Sequence, residues 1–90
     1  MELTILELGE GRARVLFPGQ THTFMNLLMN ELLQDPGVDV ATYHLEYEFS
    51  DPVLVVSATG GRDPLDAITD AARRIAASCD ELIATLEGAR

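Results

Sequence analysis

The chain has 90 residues, a length that suits one domain, which is expected to span residues 1–90. Fifteen Asp and Glu residues against six Arg and no Lys give a formal net charge of −9, which repels a phosphate backbone and argues against direct nucleic-acid binding. The sequence shows neither a signal-peptide pattern nor 18 consecutive apolar residues, so we expect a cytoplasmic protein that does not span a membrane.

The N-terminal half predicts a β-hairpin followed by a helix. Residues 2–8 alternate in polarity as a strand does, a GEG turn follows, and residues 12–17 run back as a second strand. The first helix begins near Thr21 or Thr23, either of which could supply the N-cap oxygen. The DPG stretch at residues 35–37 ends it.

The second half of the chain predicts two more strands. In residues 38–49 the apolar positions change face between Val40 and Ala41, which indicates a bulge in a long strand. Residues 53–59 read as the fourth strand, with apolar side chains on one face at every second position.

A long helix is predicted from Pro64 to Glu87. Asp63 suits the N-cap, Pro64 is favoured at the first helical position, and Gly88 is a natural stop. The order ββαββα predicts an α+β fold with two layers, in which a four-stranded antiparallel sheet carries both helices on one face.

The first helix carries more apolar surface than such a sheet covers. At 100° per residue its apolar side chains occupy about half of the circumference, whereas a surface helix needs a stripe of only about 100°. These side chains are Phe24, Met25, Leu28, Met29, Leu32 and Leu33. Leu27 lies on the other side of the helix, among polar residues.

The second helix carries a seam of apolar residues at heptad spacing. The seam comprises Leu65, Ile68, Ala72, Ile75, Cys79, Leu82 and Leu86, and it is widened by Ala67, Ala71, Ala76 and Ile83. A helix of about 36 Å outruns strands of about 17–20 Å, so its last half should project and leave Leu82, Ile83 and Leu86 in water. Burying one such side chain is worth about 1.5–3 kcal/mol, so we expect a partner surface to cover them.

The sequence offers no clear catalytic, metal or cofactor site. His22, at a helix start, is expected to assist capping or to face solvent, and His44 is expected to share a solvated strand face with Glu46. The single cysteine, Cys79, excludes a disulfide framework and a cysteine-rich metal site, and we expect it to be a free, buried thiol. The TGGRDP turn at residues 59–64 fits no phosphate-binding motif.

Two stretches resemble the archaeal RNA polymerase subunit L family, which belongs with the eukaryotic eleventh-subunit family and the amino-terminal domain of bacterial alpha. They are HTFMNLL followed by ELLQDPGVDVATY, and TGGRDPLDAI at the start of the long helix. The signature residues present in this chain are His22, Thr23, Phe24, Asn26, Leu27, Leu28, Asp63 and Pro64.

This resemblance implies a non-catalytic assembly subunit of DNA-directed RNA polymerase. It implies that the chain forms a heterodimer with the alpha-like D-type subunit through the helices. It also implies that this pair nucleates assembly of the large catalytic subunits and that subunit N, a small zinc protein, joins the same platform. The implied pairing residues are Phe24, Leu28, Ile75, Cys79, Leu82, Ile83 and Leu86. The family often has Arg or Lys at the position of Met29, and a His-Pro pair where this chain has Tyr47 and Glu48. Contacts that the family's residues make to a large subunit at these positions are therefore not expected for this chain.

Two other functions fit the same layout. Pterin-carbinolamine dehydratases have a similar ββαββα-type arrangement and oligomerise, but their chemistry relies on clustered histidines, whereas this chain has two histidines in separate elements. A stand-alone homodimeric regulatory or ligand-binding module would form a stable homodimer and would show a saturable shift of melting temperature with a small molecule.

The acidic, Lys-free composition also fits a protein that works in concentrated salt, where repulsion between its carboxylates is screened. An ordinary acidic domain from a GC-rich genome would have a similar composition. Salt adaptation predicts that the melting temperature rises from low to molar potassium chloride, as measured by circular dichroism. A melting temperature that does not depend on salt would favour the ordinary acidic domain.

Overall fold

A computed structural model of the chain describes residues 1–46 and 50–89. Its elements are β1 (Thr4–Gly9), β2 (Arg12–Leu16), α1 (His22–Leu32), β3 (Val38–Leu45), β4 (Pro52–Ala58) and α2 (Pro64–Gly88). The strands form one antiparallel sheet in the order β1-β2-β4-β3, and both helices pack on the same face of it. The predicted two-layer α+β fold with a long C-terminal helix is therefore confirmed.

The core lies between the helices and the inner face of the sheet. Ala13 pairs with Val56 and Val15 with Leu54, so all four side chains point to the helix side. The helices contribute Met25, Leu28, Leu32, Ala67 and Ala71. α1 packs on β3 and β4, and α2 packs on β4 and β2, so the edge strand β1 lies outside the main footprint of the helices.

The bulge predicted in the third strand is present, but it lies earlier in the chain. The register shifts between Val38 and Val40, not between Val40 and Ala41. Val40 consequently points to the outer face, where it is 42% exposed, while Ala41 faces the core. β3 ends at Leu45, and the predicted continuation through residues 47–49 lies outside the described residues.

The two helices begin at capping residues that the sequence predicts. The hydroxyl of Thr21 accepts a hydrogen bond from the Phe24 backbone N–H at 3.2 Å, which selects Thr21 as the N-cap of α1. The Asp63 carboxylate accepts from the Leu65 N–H at 2.8 Å, and Pro64 occupies the first turn of α2. Local sequence thus fixes where each helix starts.

Arg62 ties the start of α2 to the turn that follows α1. Its Nη2 donates to the carboxylates of Asp35, at 2.8 Å, and Asp70, at 2.7 Å. Asp35 also accepts from the Gly37 N–H, and the Arg62 stem packs so closely on Gly37 that a Cβ there would lie 2.9 Å from the Arg62 Cγ. The Arg62 guanidinium and then the Gly37 N–H lower the pKa of Asp35.

The Asp35→Asn variant tests this ion pair, because it preserves an acceptor for the Gly37 N–H but removes the charge. We expect the melting temperature to fall by several degrees near neutral pH. Since Arg62 holds the Asp35 pKa below its ordinary value of 3.8, the ion pair contributes fully above that pH and is lost as the pH falls through the lowered pKa.

The difference between the two proteins should therefore vanish towards pH 2 in melts followed by circular dichroism. Asp39→Asn, at an exposed carboxylate, is the control and should change the melting temperature little at any pH. A difference between wild type and Asp35→Asn that persists in acid would contradict the ion-pair explanation.

Candidate partner-binding surface

The side chains that α2 buries completely are small, and its larger apolar side chains are partly buried or exposed. Ala67 and Ala71 are fully buried in the core. Ile68 and Ile75 are only partly buried, although they lie within the first half of the helix. The face of α2 that packs on its own sheet, here called the home face, is therefore narrow and lined by alanines. Most of the predicted seam lies outside the home face.

The second half of α2 extends beyond the sheet. Every residue from 76 to 88, here called the tail, is exposed, and at 1.5 Å per residue the tail measures about 20 Å. Leu82, Ile83 and Leu86 are 58%, 52% and 56% exposed. The predicted projection of this helix and the exposure of these three side chains are confirmed for the isolated chain.

Two apolar depressions flank Ile75. The N-terminal cavity has a volume of about 350 Å³ and lies between the first residues of the chain and the two helices. Its apolar walls include Met1, Leu3, Phe17, Phe24, Ala72 and Ala76. The interhelix groove, of about 220 Å³, is lined by Leu27, Glu31, Ser78, Cys79 and Leu82. Because Ile75 lines both, the cavity, the groove and the tail form one continuous apolar surface.

The structure places most of the predicted pairing residues on this surface. Those on the exposed side of α2 are Ile75, Cys79, Leu82, Ile83 and Leu86. Phe24 is partly buried and faces the N-terminal cavity. Leu28 also lines that cavity but is only 3% exposed, so it belongs to the chain's own core and offers little area to a partner.

The expectation of a buried Cys79 thiol is wrong for the isolated chain. Cys79 is exposed, because it lies in the tail, beyond the edge of the sheet that packs against the first half of α2. Its side chain lines the interhelix groove beside Leu82.

Leu27 is an exposed apolar residue on the side of α1 that the sequence pattern predicts to be polar. In the structure that side of α1 turns towards α2, and Leu27 lines the interhelix groove. The approach is fixed by Arg74, whose guanidinium donates to the Glu31 carboxylate and, at 3.0 Å, to the Glu31 backbone oxygen. The signal available in the sequence is the spacing of Leu27 and Glu31, four residues apart on one helix face.

The inner face of β1 adds a second apolar strip that the sequence did not identify as uncovered. Ile5 pairs with Val15 and Leu8 with Ala13, so both point to the helix side of the sheet. A register shift between Ile5 and Glu7 keeps Leu8 on that face. Both side chains are about half exposed, because the helices pack mainly on the other three strands.

The remaining signature residues have local roles or face solvent. Thr23 and Asn26 are exposed on α1, and His22 places its Nδ1 at 3.1 Å from the hydroxyl oxygen of Tyr43. Met29, where the family often has Arg or Lys, packs against the core. Tyr47 and Glu48 lie outside the described residues.

The outer face of the sheet carries an ion pair, whereas the two helices pack on the inner face. Val53 and Val55 point to this face and are nevertheless buried. Arg14 on β2 reaches across β4 to the carboxylate of Glu46, and the His44 Nε2 lies 2.8 Å from the other oxygen of that carboxylate. Arg14 and, to a smaller extent, His44 lower the pKa of Glu46, so it is a poor proton donor.

The histidines do not form a catalytic cluster. His22 lies on the helix side of the sheet beside Tyr43, whereas His44 points to the outer face, so the sheet separates them. Within residues 1–46 and 50–89, no three His, Cys, Asp or Glu side chains are grouped so as to hold a metal ion. This arrangement does not match the clustered histidines that the dehydratase hypothesis requires.

No helix in the described part of the chain is both long and apolar enough to cross a membrane.

Comparison with known proteins points to one family. The sequence model described as the RNA polymerase Rpb3/Rpb11 dimerisation domain matches residues 12–85. The chain is 43% identical over 89 residues to DNA-directed RNA polymerase subunit Rpo11 of Methanothrix thermoacetophila, covering 99% of this chain and 98% of the relative. It is 36% identical to Rpo11 of Haloquadratum walsbyi, with 99% of each chain covered.

The fold agrees with a crystal structure of DNA-directed RNA polymerase subunit L from Thermoplasma acidophilum. The TM-score is 0.88 at 23% sequence identity, covering 97% of this chain and 86% of the other. At that identity the likeness establishes the shared fold.

The two faces of α2 predict different outcomes for the same substitution. Ala71→Leu adds volume on the closely packed home face and should lower the free energy of unfolding by about 1–3 kcal/mol. Ala76→Leu, at the start of the tail, should change it by less than about 0.5 kcal/mol. Urea denaturation of both variants measures the difference. Equal destabilisation by the two variants would contradict the assignment of the home face.

Proposed function

The chain belongs to the RNA polymerase Rpb3/Rpb11 dimerisation-domain family, and from that premise we propose that it is a non-catalytic assembly subunit of an archaeal DNA-directed RNA polymerase. Its proposed partner is the D-type subunit of that polymerase, here called the alpha-like subunit, which it meets through its two helices. The pair then nucleates assembly of the large catalytic subunits in the cytoplasm, with subunit N on the same platform. Residues 1–90 act as one dimerisation unit in this proposal.

The orientation of α2 is the observation that carries the proposal. A helix that served only its own sheet would bury its large apolar side chains, whereas α2 buries Ala67 and Ala71 completely and leaves the large side chains of its second half exposed. Leu82, Ile83 and Leu86 would each contribute about 1.5–3 kcal/mol on full burial, which a stable partner surface supplies and this chain does not.

The width of the exposed surface supports a helical partner over a short peptide. The groove, the N-terminal cavity and the tail follow one another along α2, so a long complementary element covers them together. This chain matches a dimerisation-domain family, and in this proposal the partner has a similar fold, so it would present a helix pair to the two helices of this chain.

The charges support a role without direct contact to nucleic acid. Arg14, Arg62 and Arg74 are engaged with carboxylates of this chain, and the net charge of −9 opposes phosphate binding. The magnesium ion, the DNA channel and the nucleotide site would then lie on other subunits of the polymerase.

Leu82→Glu tests the proposed pairing. Loss of about 2 kcal/mol of apolar burial weakens binding roughly 30-fold, and desolvation of the new carboxylate adds to that effect. We therefore expect co-expression with the alpha-like subunit to give a soluble 1:1 pair for wild type and no stable pair for Leu82→Glu. Size-exclusion chromatography with light scattering measures the outcome, and circular dichroism should show the fold unchanged.

Val40→Glu is the matched control, because Val40 is also exposed but lies on the outer face of the sheet. It should pair as wild type does. Maleimide labelling of Cys79 gives a second readout, since this exposed thiol lies in the groove and should be protected in the pair. A monomer or a stable homodimer that ignores the alpha-like subunit would refute the proposed function.

A further inference from the structure

We propose that Arg74 is a built-in counter-ion that allows a partner to cover the interhelix groove, because it neutralises the carboxylate of Glu31 in the groove wall. This inference rests on the proposed function, since it takes the groove to be covered in the pair. It goes further by assigning a determinant of pairing affinity to an arginine, whereas none of the pairing residues that the family resemblance implies is charged.

One carboxylate interrupts the lining of the interhelix groove. Glu31 is the only charged side chain among the described residues that line it. The others are Leu27, Ile75, Ser78, Cys79 and Leu82. Leu27 and Glu31 lie four residues apart and therefore share one face of α1. A partner surface that covers Leu27 has to cover Glu31 as well, so pairing takes water away from this carboxylate.

The position of Glu31 makes its desolvation costly. A carboxylate that loses water without a cation beside it raises the free energy of the complex, because apolar surroundings solvate a charge poorly. Glu31 also lies in the last turn of α1, where the helix dipole disfavours anions, and that turn contains no basic residue. The compensating cation therefore has to come from another element of the chain.

Arg74 supplies that cation from α2. Its Nε donates to the Glu31 carboxylate, and its Nη2 donates to the Glu31 backbone oxygen at 3.0 Å. No other ion pair among the described residues joins α1 to α2. The two hydrogen bonds hold the guanidinium in place in the isolated chain, so the counter-charge is already positioned before a partner binds.

The two members of the ion pair differ in their access to water. The Glu31 side chain is 27% exposed and the Arg74 side chain is 41% exposed. The long stem of Arg74 can also carry its guanidinium towards solvent when the opposite charge is absent. Loss of Arg74 should therefore weaken pairing more than loss of the charge on Glu31.

Arg74→Met tests the proposal, because it keeps an unbranched stem but removes the charge. It leaves the Glu31 carboxylate uncompensated in the covered groove, so pairing with the alpha-like subunit should weaken by about tenfold or more. Glu31→Gln alone should change the affinity less than about threefold, since its amide oxygen still accepts from Arg74. Titration of each variant with the alpha-like subunit in a calorimeter measures the dissociation constants.

The double variant Arg74→Met/Glu31→Gln separates charge compensation from a purely structural role of the bridge. It lacks both charges, so its affinity should return to within about threefold of wild type. If Arg74 served only to fix the angle between the helices, the double variant would pair as weakly as Arg74→Met does. That result would overturn the proposal, and so would wild-type affinity of Arg74→Met itself.

Arg14→Met is the matched control, because Arg14 also forms a partly buried ion pair, with Glu46, but on the outer face of the sheet. It should pair as wild type does. Circular dichroism reports whether each variant is folded. Should Arg74→Met fail to fold, Arg74→Gln removes the charge but retains side-chain N–H donors, and it takes the same place in both comparisons.

The outcomes distinguish this inference from the proposed function. If the unmodified chain does not pair with the alpha-like subunit, both fall together. If it pairs and the charge-removing variants at residue 74 pair equally well, only the role of Arg74 as a counter-ion is refuted.

Discussion

The packing of α2 on the sheet through Ala67 and Ala71 is the contact on which the rest of the molecule depends. Small side chains let the helix backbone come close to β4 and β2, but they remove little apolar area from water. The larger apolar side chains of the helix are partly buried or exposed. The contact between α2 and its own sheet is therefore close but narrow, and a wide apolar surface of the helix stays uncovered. The chain has a smaller core than it could have, and in return it has a surface available for binding.

Two arginines hold this helix in a defined direction. Arg62 anchors its first turns to Asp35, and Arg74 joins its middle to Glu31 on α1. Both pairs are partly buried, and their geometry restricts how α2 lies on the sheet. Both anchors precede residue 76, so the tail continues along a direction already set by the folded part of the chain.

The sequence is sufficient to predict the elements and the caps, because strand alternation, helix period and N-cap chemistry are local properties. The sequence does not determine which side of a helix faces the chain's own sheet, because periodicity gives the angles between residues but not their orientation relative to the sheet. The resemblance implies that Leu28 belongs to the pairing surface, although it is buried in this chain, and the pattern places Leu27 on the polar side, although it lines a groove. The prediction of a buried Cys79 thiol fails for a related reason, because the exposure of that thiol depends on where the sheet ends.

The two faces of the sheet differ in charge and in exposed apolar area, and this difference explains why a partner should bind on the helix side. On the outer face, the ion pair between Arg14 and Glu46 lies beside the buried Val55, so an apolar partner gains little there and would have to desolvate that pair. On the helix side, the cavity, the groove and the tail expose apolar area with few charges to desolvate. Among the described residues, the helix side therefore offers more free energy of association than the outer face, and the net charge of −9 opposes indiscriminate self-association elsewhere on the surface.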